Sequence, residues 1–206
     1  MIRNATAADV PAMLSIYAPY VENSTYTFEY TIPSEEAFLA RFREITLQFP
    51  WLVWEEEGRV LGYSYGSLPF ARAAYAWAGE VSIYLAAEAQ GRGIGRKLYT
   101  ALEKFMEYQG YRVLYAIITE ENTVSLAFHK ALGYREAGVF SQCGLKFNRW
   151  LSVVWMEKHL NSVGIPSKTP HPYSAFVESD RILTDILDKM SLSYSSKIWY
   201  VIRGEI

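Results

Sequence analysis

Length, composition and charge limit the classes of protein to which this chain can belong. It has 206 residues, half of them hydrophobic and 16% aromatic, which suits one domain, or one domain with an appendage, and excludes general disorder. Its formal net charge of -2 provides no basic field. We therefore expect no nucleic acid as the main partner.

The same composition bears on the compartment. There is a single cysteine, Cys143, so no intrachain disulfide is possible, which fits a reducing compartment. No stretch approaches the ~18 apolar residues of a membrane span. Residues 1–6 lack the basic-then-apolar layout of a signal peptide. We expect a cytoplasmic protein without a membrane partner.

Hydrophobic periodicity predicts strands and helices along residues 2–160. In chain order they are a strand over 2–5, a helix from about Ala8, a helix after Glu36, a hairpin of strands over 51–54 and 60–65, a strand over 80–85, a helix from a glycine-rich segment to about Gly110, a strand over 113–118, a helix over 122–132, and strands over 134–140 and 152–156. The central order of strand, loop, helix, strand, helix and strand implies an α/β fold, a mixed sheet flanked by helices.

The character of the chain changes near Asn161, so we divide it into a domain over 1–160 and a C-terminal extension over 161–206. Gly164 and three prolines predict a linker, and Ser179 can cap a short helix. The apolar residues of that helix are Ile182, Leu183, Ile186, Leu187 and Met190. Lys197–Arg203 can form one more strand. The extension fits a docking element or dimer arm as well as an addition that packs on its own domain.

The clearest chemical signal is Gln90–Gly95, between a predicted strand and a predicted helix. Glycines there let the backbone approach a ligand and point several N–H groups at one spot, and the helix start adds a partial positive charge. Arg92, Arg96 and Lys97 add full charges, so the segment suits a pyrophosphate. Its G-x-G-x-G spacing matches neither the dinucleotide fingerprint nor the Walker loop. A tight turn without a ligand is the alternative.

Gln90–Leu98 resembles the acetyl-CoA pyrophosphate motif of the GNAT acetyltransferases, usually written Q/R-x-x-G-x-G/A. The resemblance extends from Ile2 to about Leu160, and Asn122–Tyr134 is similar to the later motif of that family. Three segments resemble, more narrowly, the phosphinothricin and methionine-sulfoximine acetyltransferase branch: Arg72–Trp77 with Glu80, Phe128–Tyr134, and Gly144–Trp150.

The resemblance implies the GNAT fold, in which parallel strands of the mixed sheet splay apart, and acetyl-CoA as co-substrate. The residues that it assigns to acetyl-CoA are Gln90, Gly91, Arg92, Gly93, Ile94, Gly95 and Arg96 in the motif, the strand residues Ile83, Tyr84 and Leu85, and Asn122. For the three strand residues the implied role lies in the main chain, which would meet the oxyanion and the pantetheine arm, while their side chains fit the core. Asn122 also suits a helix N-cap.

Acetyl transfer to an amine requires a neutral amine, a stabilised oxyanion and a proton for the leaving thiolate. Glu80 is the candidate base, directly or through water, and an ordinary surface or ion-paired glutamate is the alternative. An ordinary carboxylate is a weak base, so we expect a water relay or a raised pKa. Many members of the family carry a tyrosine acid where this chain, like the narrower branch, has His129. His129 is therefore the candidate to protonate the thiolate or share the base role, and a structural histidine is the alternative.

The narrower branch uses small amino-acid-like acceptors, which implies a small amine as partner. Arg72 and Lys146 are the candidate cations for its carboxylate. Phe28, Tyr75 and Trp150 are candidate walls, and for Trp150 a place in the core is the favoured alternative. The resemblance also implies a homodimer. Alternative acceptors are a polyamine, an antibiotic or a protein N-terminus, and a non-catalytic acyl-CoA-binding module is the alternative from another class. The histidines show no paired ligand spacing, so we expect no metal.

Overall fold

A single seven-stranded sheet organises the chain in the computed structural model, which describes residues 1–160, 164–176 and 178–203. The strand order is β1-β2-β3-β4-β5-β7-β6. The bounds are β1 Ile2–Asn4, β2 Trp51–Glu56, β3 Arg59–Ser67, β4 Ala78–Leu85, β5 Val113–Thr119, β6 Arg135–Lys146 and β7 Arg149–His159. β4 and β5 run parallel and the other neighbouring pairs antiparallel, so the predicted mixed sheet is confirmed.

Helices cover both faces of this sheet. Within the described ranges they are α1 Val10–Asn23, α2 Glu35–Gln48, α3 Ile94–Gln109, α4 Thr123–Ala131 and α5 Ser179–Arg203. α1 and α2 pack with Trp51 and Tyr63 on one face, while α3, α4 and α5 pack on the other. α3 is the central element of the second face because its apolar residues repeat at helical spacing and are fully buried: Leu98, Leu102, Phe105 and Met106. No helix in these ranges is both long and apolar enough to cross a bilayer.

The centre of the sheet opens between its two parallel strands. β4 pairs with β5 only where Ala78–Glu80 meets Val113–Tyr115. Beyond Glu80, β4 continues along β3 alone as far as Leu85. The expected splay of the parallel strands is therefore present, and it begins at Glu80. Alternation along β4 gives Val81, Ile83 and Leu85 to the α3 face and Glu80, Ser82 and Tyr84 to the α1 face.

The C-terminal extension packs back on the domain, on the face that carries α3. The amide of Gln109 donates to the carbonyl of His171 at 2.8 Å, and the main-chain N–H of His171 donates to the carbonyl of Gln109 at 2.9 Å. Leu183 of α5 is buried in the core under α3. The prediction of a strand over Lys197–Arg203 is wrong, since α5 continues as one helix to Arg203. Residues 161–163, the start of the predicted linker, lie outside the described residues.

Candidate active site

The glycine-rich loop turns directly into α3. Gly91 and Gly93 have φ values of +71° and +75°, and Gly93 caps the helix that begins at Ile94. A Cβ at either glycine would meet no atom within 4 Å, so the backbone conformation favours glycine here and the space outside is open. The first N–H groups of α3 have no intrahelical acceptor. Donors without a partner beside open space are what a phosphate site requires.

Positive side chains surround this loop. Arg92 pairs with Glu56 at 2.7 Å, and Arg96 donates a hydrogen bond of 3.4 Å to the carbonyl of Ala131. The ammonium of Lys97 lies 5.5 Å from the centre of the Trp54 ring. The carboxylate of Glu56 offsets part of the charge of Arg92. Arg96, beside the helix start, has no ion-pair partner among the described residues.

A cleft of ≈ 80 Å³ occupies the gap between the splayed strands. Its lining residues are Tyr20, Tyr26, Val81, Ser82, Ile83, Tyr84, Ala116, Ile117, Ile118, Asn122, Ser125 and His129. The cleft thus joins β4, β5 and α4 to the end of α1. A separate open groove of ≈ 770 Å³ runs beside α1 and shares Tyr20 and Tyr26 with the cleft. The groove is lined by neither Asn122 nor His129, whereas the cleft is lined by both and continues from the strand that carries Glu80.

The main chain at the end of β4 is partly engaged. The hydroxyl of Tyr20 donates to the carbonyl of Leu85 at 2.6 Å and accepts from the amide of Gln90 at 3.2 Å. Leu85 was predicted to leave its main chain free, but its carbonyl is taken by Tyr20. Gln90, predicted to bind the cofactor, is tied to α1 by the same hydroxyl.

Glu80 stands at the fork of the two parallel strands. Its register partners are Ser67 on β3 and Tyr115 on β5. Burial raises the pKa of Glu80 to about 7. Among the described residues it has no ion-pair partner. The surface and ion-paired alternatives therefore do not describe this carboxylate, which has the basicity of a group that exchanges protons near neutrality.

His129 lies behind the cleft and is only 3% exposed. Its Nδ1 lies 2.8 Å from the carbonyl of Ser125 and its Nε2 lies 2.7 Å from the hydroxyl of Tyr99. A carbonyl can only accept, so Nδ1 carries the proton and Nε2 accepts from Tyr99. Burial lowers the pKa of His129 to about 4. The ring is neutral at pH 7 and has no proton at Nε2, so this geometry corrects the predicted acid role.

Asn122 caps α4 and also faces the cleft. Its Oδ1 accepts from the main-chain N–H of Ser125 at 3.1 Å, which makes it the helix N-cap. Its Nδ2 donates to no other described residue and is free for a ligand in the cleft. The two interpretations of Asn122 are compatible.

A cluster of aromatic rings forms around Tyr115, the register partner of Glu80 on β5. The Phe70 ring lies 4.6 Å from that of Tyr75 and 5.5 Å from that of Trp155, measured between centroids. Tyr115, the register partner of Glu80, packs edge-on against Trp155. Tyr75 was predicted as a wall, whereas the other three rings were missed. The parallel register of β4 and β5, which sequence does not give, would have pointed to Tyr115.

Of the two candidate cations for a carboxylate, one is exposed and one is buried. Arg72 is exposed and has no ion pair in the described part of the chain. Lys146 is only 2% exposed, and its Nζ donates to the carbonyls of Val21 and Thr27, both at 2.8 Å. The predicted contact of Lys146 with a substrate is therefore corrected, because its ammonium already anchors the segment that follows α1.

That segment, residues 24–34, is attached to its surroundings at several further points. The ring of Phe28 lies over Gly144, where a Cβ would come within 2.1 Å of Phe28 Cε2. The hydroxyl of Thr25 donates to Glu121 at 3.2 Å, and Arg149 pairs with Glu121 through two bonds of 2.9 Å. The loop is thus held by the β6–β7 hairpin and by the turn before α4. Trp150, predicted in the core, is 62% exposed on this hairpin.

No group of His, Cys, Asp and Glu within the described ranges is arranged to hold a metal ion. A parallel strand pair that opens beside a helix start suited to a pyrophosphate is the architecture of an acyltransferase that draws its acyl group from a CoA thioester. Transfer to an amine also needs a base, and Glu80, with its raised pKa, lies where the two parallel strands separate.

Comparison with known proteins places this acyltransferase in a family. The model described as "Acetyltransferase (GNAT) domain" matches residues 2–155, so the chain belongs to the GNAT acetyltransferases and is an acetyl-CoA-dependent acetyltransferase. It is 38% identical to a phosphinothricin N-acetyltransferase of Alcaligenes faecalis over 75% of this chain and 79% of that protein. It is 36% identical to an L-methionine sulfoximine/L-methionine sulfone acetyltransferase of Pseudomonas paraeruginosa, over 78% and 94%.

Comparison with a solved structure assigns the fold to the same family. The phosphinothricin acetyltransferase of Sinorhizobium meliloti, crystallised in complex with AcCoA, aligns with a TM-score of 0.79 at 36% sequence identity. The alignment covers 84% of this chain and 96% of that chain. The GNAT fold predicted from the sequence is confirmed.

Proposed function

We propose that this acetyltransferase moves the acetyl group of acetyl-CoA to the primary amine of a small amino-acid-like acceptor, of the phosphinothricin, methionine sulfoximine or methionine sulfone type. The observation that carries the proposal is Glu80, a half-buried carboxylate without an ion-pair partner among the described residues, at the fork of β4 and β5. The named activities of the two relatives support this class of acceptor.

The donor side of the cleft fits acetyl-CoA, which supplies an activated acetyl thioester when bound. Open space at Gly91 and Gly93 and the N–H groups at the start of α3 suit its pyrophosphate. Arg96 adds a positive charge beside them. The uncommitted Nδ2 of Asn122 suits a carbonyl of the pantetheine arm, and the cleft between the splayed strands gives that arm a path to Glu80.

The chemistry follows from the pKa of Glu80. At about 7, this carboxyl is roughly half ionised at neutral pH and strong enough as a base to take a proton from an ammonium, directly or through one water. The nitrogen lone pair can then attack the thioester carbonyl. Those main-chain N–H groups of Ile83–Leu85 that point away from β3 are the donors for the oxyanion, because β4 has no partner strand on that side.

The acceptor's carboxylate is assigned to Arg72, which is exposed and unpaired within the described ranges. A guanidinium can hold a carboxylate through two parallel bonds. Tyr75 and Phe28 form walls, and Lys146 contributes indirectly by holding the loop that carries Phe28.

We also propose a cytoplasmic homodimer that works without a metal. Apolar side chains are exposed along the β6–β7 hairpin, among them Phe140, Phe147 and Trp150. A second copy of the chain would cover them. Sedimentation of the purified protein measures the assembly, and a monomer at micromolar concentration would contradict it.

Thiol release with acetyl-CoA and a panel of amines tests the function. We expect turnover with phosphinothricin, methionine sulfoximine and methionine sulfone, and little with spermidine, an aminoglycoside or a peptide N-terminus. Glu80→Gln is the control for enzyme-dependent release. Preference for a polyamine would show that the acceptor is a cationic amine and not an amino-acid-like one. CoA affinity without release from any amine would favour a non-catalytic acyl-CoA-binding module.

A further inference from the structure

The leaving thiolate needs a proton that His129 does not hold. Both ring nitrogens of His129 are occupied, Nδ1 by the carbonyl of Ser125 and Nε2 by the hydroxyl of Tyr99. Nε2 is an acceptor in this arrangement, so a thiolate in the cleft would meet no proton there. Another residue of the cleft must therefore serve as the acid.

The lining of the cleft narrows the choice to its tyrosines, because the hydroxyls of Ser82 and Ser125 are much weaker acids than a phenol. The proton of Tyr20 is committed to the carbonyl of Leu85 at 2.6 Å. Burial raises the pKa of the Tyr84 hydroxyl well above its usual range, so that proton is held tightly.

Tyr26 differs from both of these tyrosines. Its side chain lines the cleft, is 41% exposed, and its hydroxyl makes no hydrogen bond to any described residue. Its ring packs against that of Tyr20 with the centroids 6.4 Å apart. A hydroxyl in this position can reach the cleft and recover a proton from solvent.

The backbone around Tyr26 is fixed from both sides. Thr25 donates to Glu121 at 3.2 Å, while the carbonyl of Thr27 accepts from Lys146 at 2.8 Å. The main-chain N–H of Tyr26 itself donates to the hydroxyl of Ser24 at 3.2 Å. Tyr26 is therefore carried by a loop that is held in place, as positioning of a proton donor requires.

We propose that Tyr26 is the general acid of acetyl transfer. When the C–S bond breaks, its electron pair goes to sulfur and the carbonyl double bond reforms. The phenolic proton of Tyr26 moves to sulfur, which gives the free thiol of CoA and a tyrosinate. Solvent returns a proton to the tyrosinate. The amine gives up two protons, one to Glu80 before the attack and one to solvent as its nitrogen becomes the amide. Glu80 then passes its proton to solvent. This step rests on the acetyl transfer proposed above.

The test compares Tyr26→Phe with Tyr30→Phe. Tyr30 lies on the same loop, is 69% exposed and donates to the carbonyl of Leu145, so its variant controls for loss of a phenol from this segment. Tyr26→Phe should lower kcat about 100-fold, the lower end of the range for general acid–base catalysis, with KM for the amine nearly unchanged. Tyr30→Phe should keep the wild-type kcat.

A second readout does not depend on turnover. The complex of the enzyme with CoA, which carries a thiol and no acetyl group, is titrated with base while the ultraviolet absorbance of the thiolate is followed. A hydroxyl donor beside sulfur stabilises the thiolate, so the bound thiol should ionise at lower pH in the wild type than in Tyr26→Phe. A wild-type kcat in Tyr26→Phe would overturn the proposal, as would an unchanged thiol titration. Absence of thiol release by the wild type with every amine would instead overturn the proposed function, while the titration would still decide the role of Tyr26.

Discussion

In the proposed function, the donor side of the cleft takes most of its groups from one continuous stretch, Ile83–Arg96, whereas the acceptor side is assembled from segments far apart in the chain. These segments are the one that carries Arg72 and the loop after α1, which is held by the turn before α4 and by the β6–β7 hairpin. The proposal assigns binding to main-chain N–H groups on the donor side and to side chains on the acceptor side. The two sides should therefore respond separately to substitution.

Glu80→Gln should have the largest effect, because Glu80 is the proposed base and lies between the donor and acceptor sides. An amide of the same shape cannot accept a proton, so kcat should fall by about 10²–10⁴-fold. CoA affinity, measured by calorimetry, should stay unchanged. The wild-type kcat/KM should rise with pH through about 7 as Glu80 ionises, and this limb should be missing in the variant. Wild-type turnover in Glu80→Gln would assign the base to another group.

His129→Gln should alter the pH dependence of stability. The pKa of His129 is about 4 in the folded chain and about 6.5 when unfolded, so its contribution to stability is complete above pH 6.5 and is lost as pH falls towards 4. The loss amounts to about 3 kcal/mol, since one pKa unit corresponds to ~1.4 kcal/mol. Urea unfolding at pH 7 and pH 4 measures it. The difference in free energy of unfolding between the wild type and the variant should shrink over this interval.

A constant difference between the two proteins would mean that the ring is already charged in the folded state. That result would return His129 to the list of proton donors.

Lys146→Met tests whether Lys146 serves the fold or the substrate. Removing its ammonium leaves the carbonyls of Val21 and Thr27 without their donor, at a loss of about 1–3 kcal/mol in the free energy of unfolding. KM for the amine should rise because the loop loosens, while CoA affinity stays unchanged. Arg72→Met is the matched control and should raise KM without changing stability. Unaltered stability in Lys146→Met would restore the carboxylate role to Lys146.

Gly93→Ala should have the smallest effect and should be confined to the donor side. A side chain at φ +75° costs about 1–2 kcal/mol, although nothing within 4 Å would clash with it. CoA affinity should fall about tenfold as the loop shifts to relieve this strain. Gly58→Ala, in the β2–β3 turn at φ +74°, should lose similar stability and keep its CoA affinity. Equal CoA affinity in the two variants would mean that the loop containing Gly93 does not bind CoA.

The difference between groups that are neighbours in the chain and groups that are far apart also explains which parts of the site the sequence predicts. Gln90–Arg96 could be interpreted from sequence because its glycines and the following helix act through neighbouring main-chain groups. The role of Lys146 could not, since its partners Val21 and Thr27 lie more than one hundred positions away. His129 stands where the resemblance predicts it, but its protonation depends on Tyr99, a partner 30 positions away.

The hydrophobic pattern of the sequence also did not predict which apolar side chains are exposed. Trp150 looks like a core residue by type, yet it lies on a hairpin whose outer strand, β6, is at the edge of the sheet. The strand predicted over Lys197–Arg203 failed for a related reason. Its apolar residues follow a helix that α3 already supports, so the helix simply continues.

The placement of the C-terminal extension has a practical consequence. It lies on the α3 face of the sheet, while alternation along β4 gives Glu80 to the α1 face and Tyr26 packs against Tyr20 of α1. The C-terminal extension and the proposed base Glu80 therefore lie on opposite faces of the sheet. A fluorophore or a surface linker attached near Thr184, an exposed residue of α5, would lie on the face of the sheet opposite to Glu80.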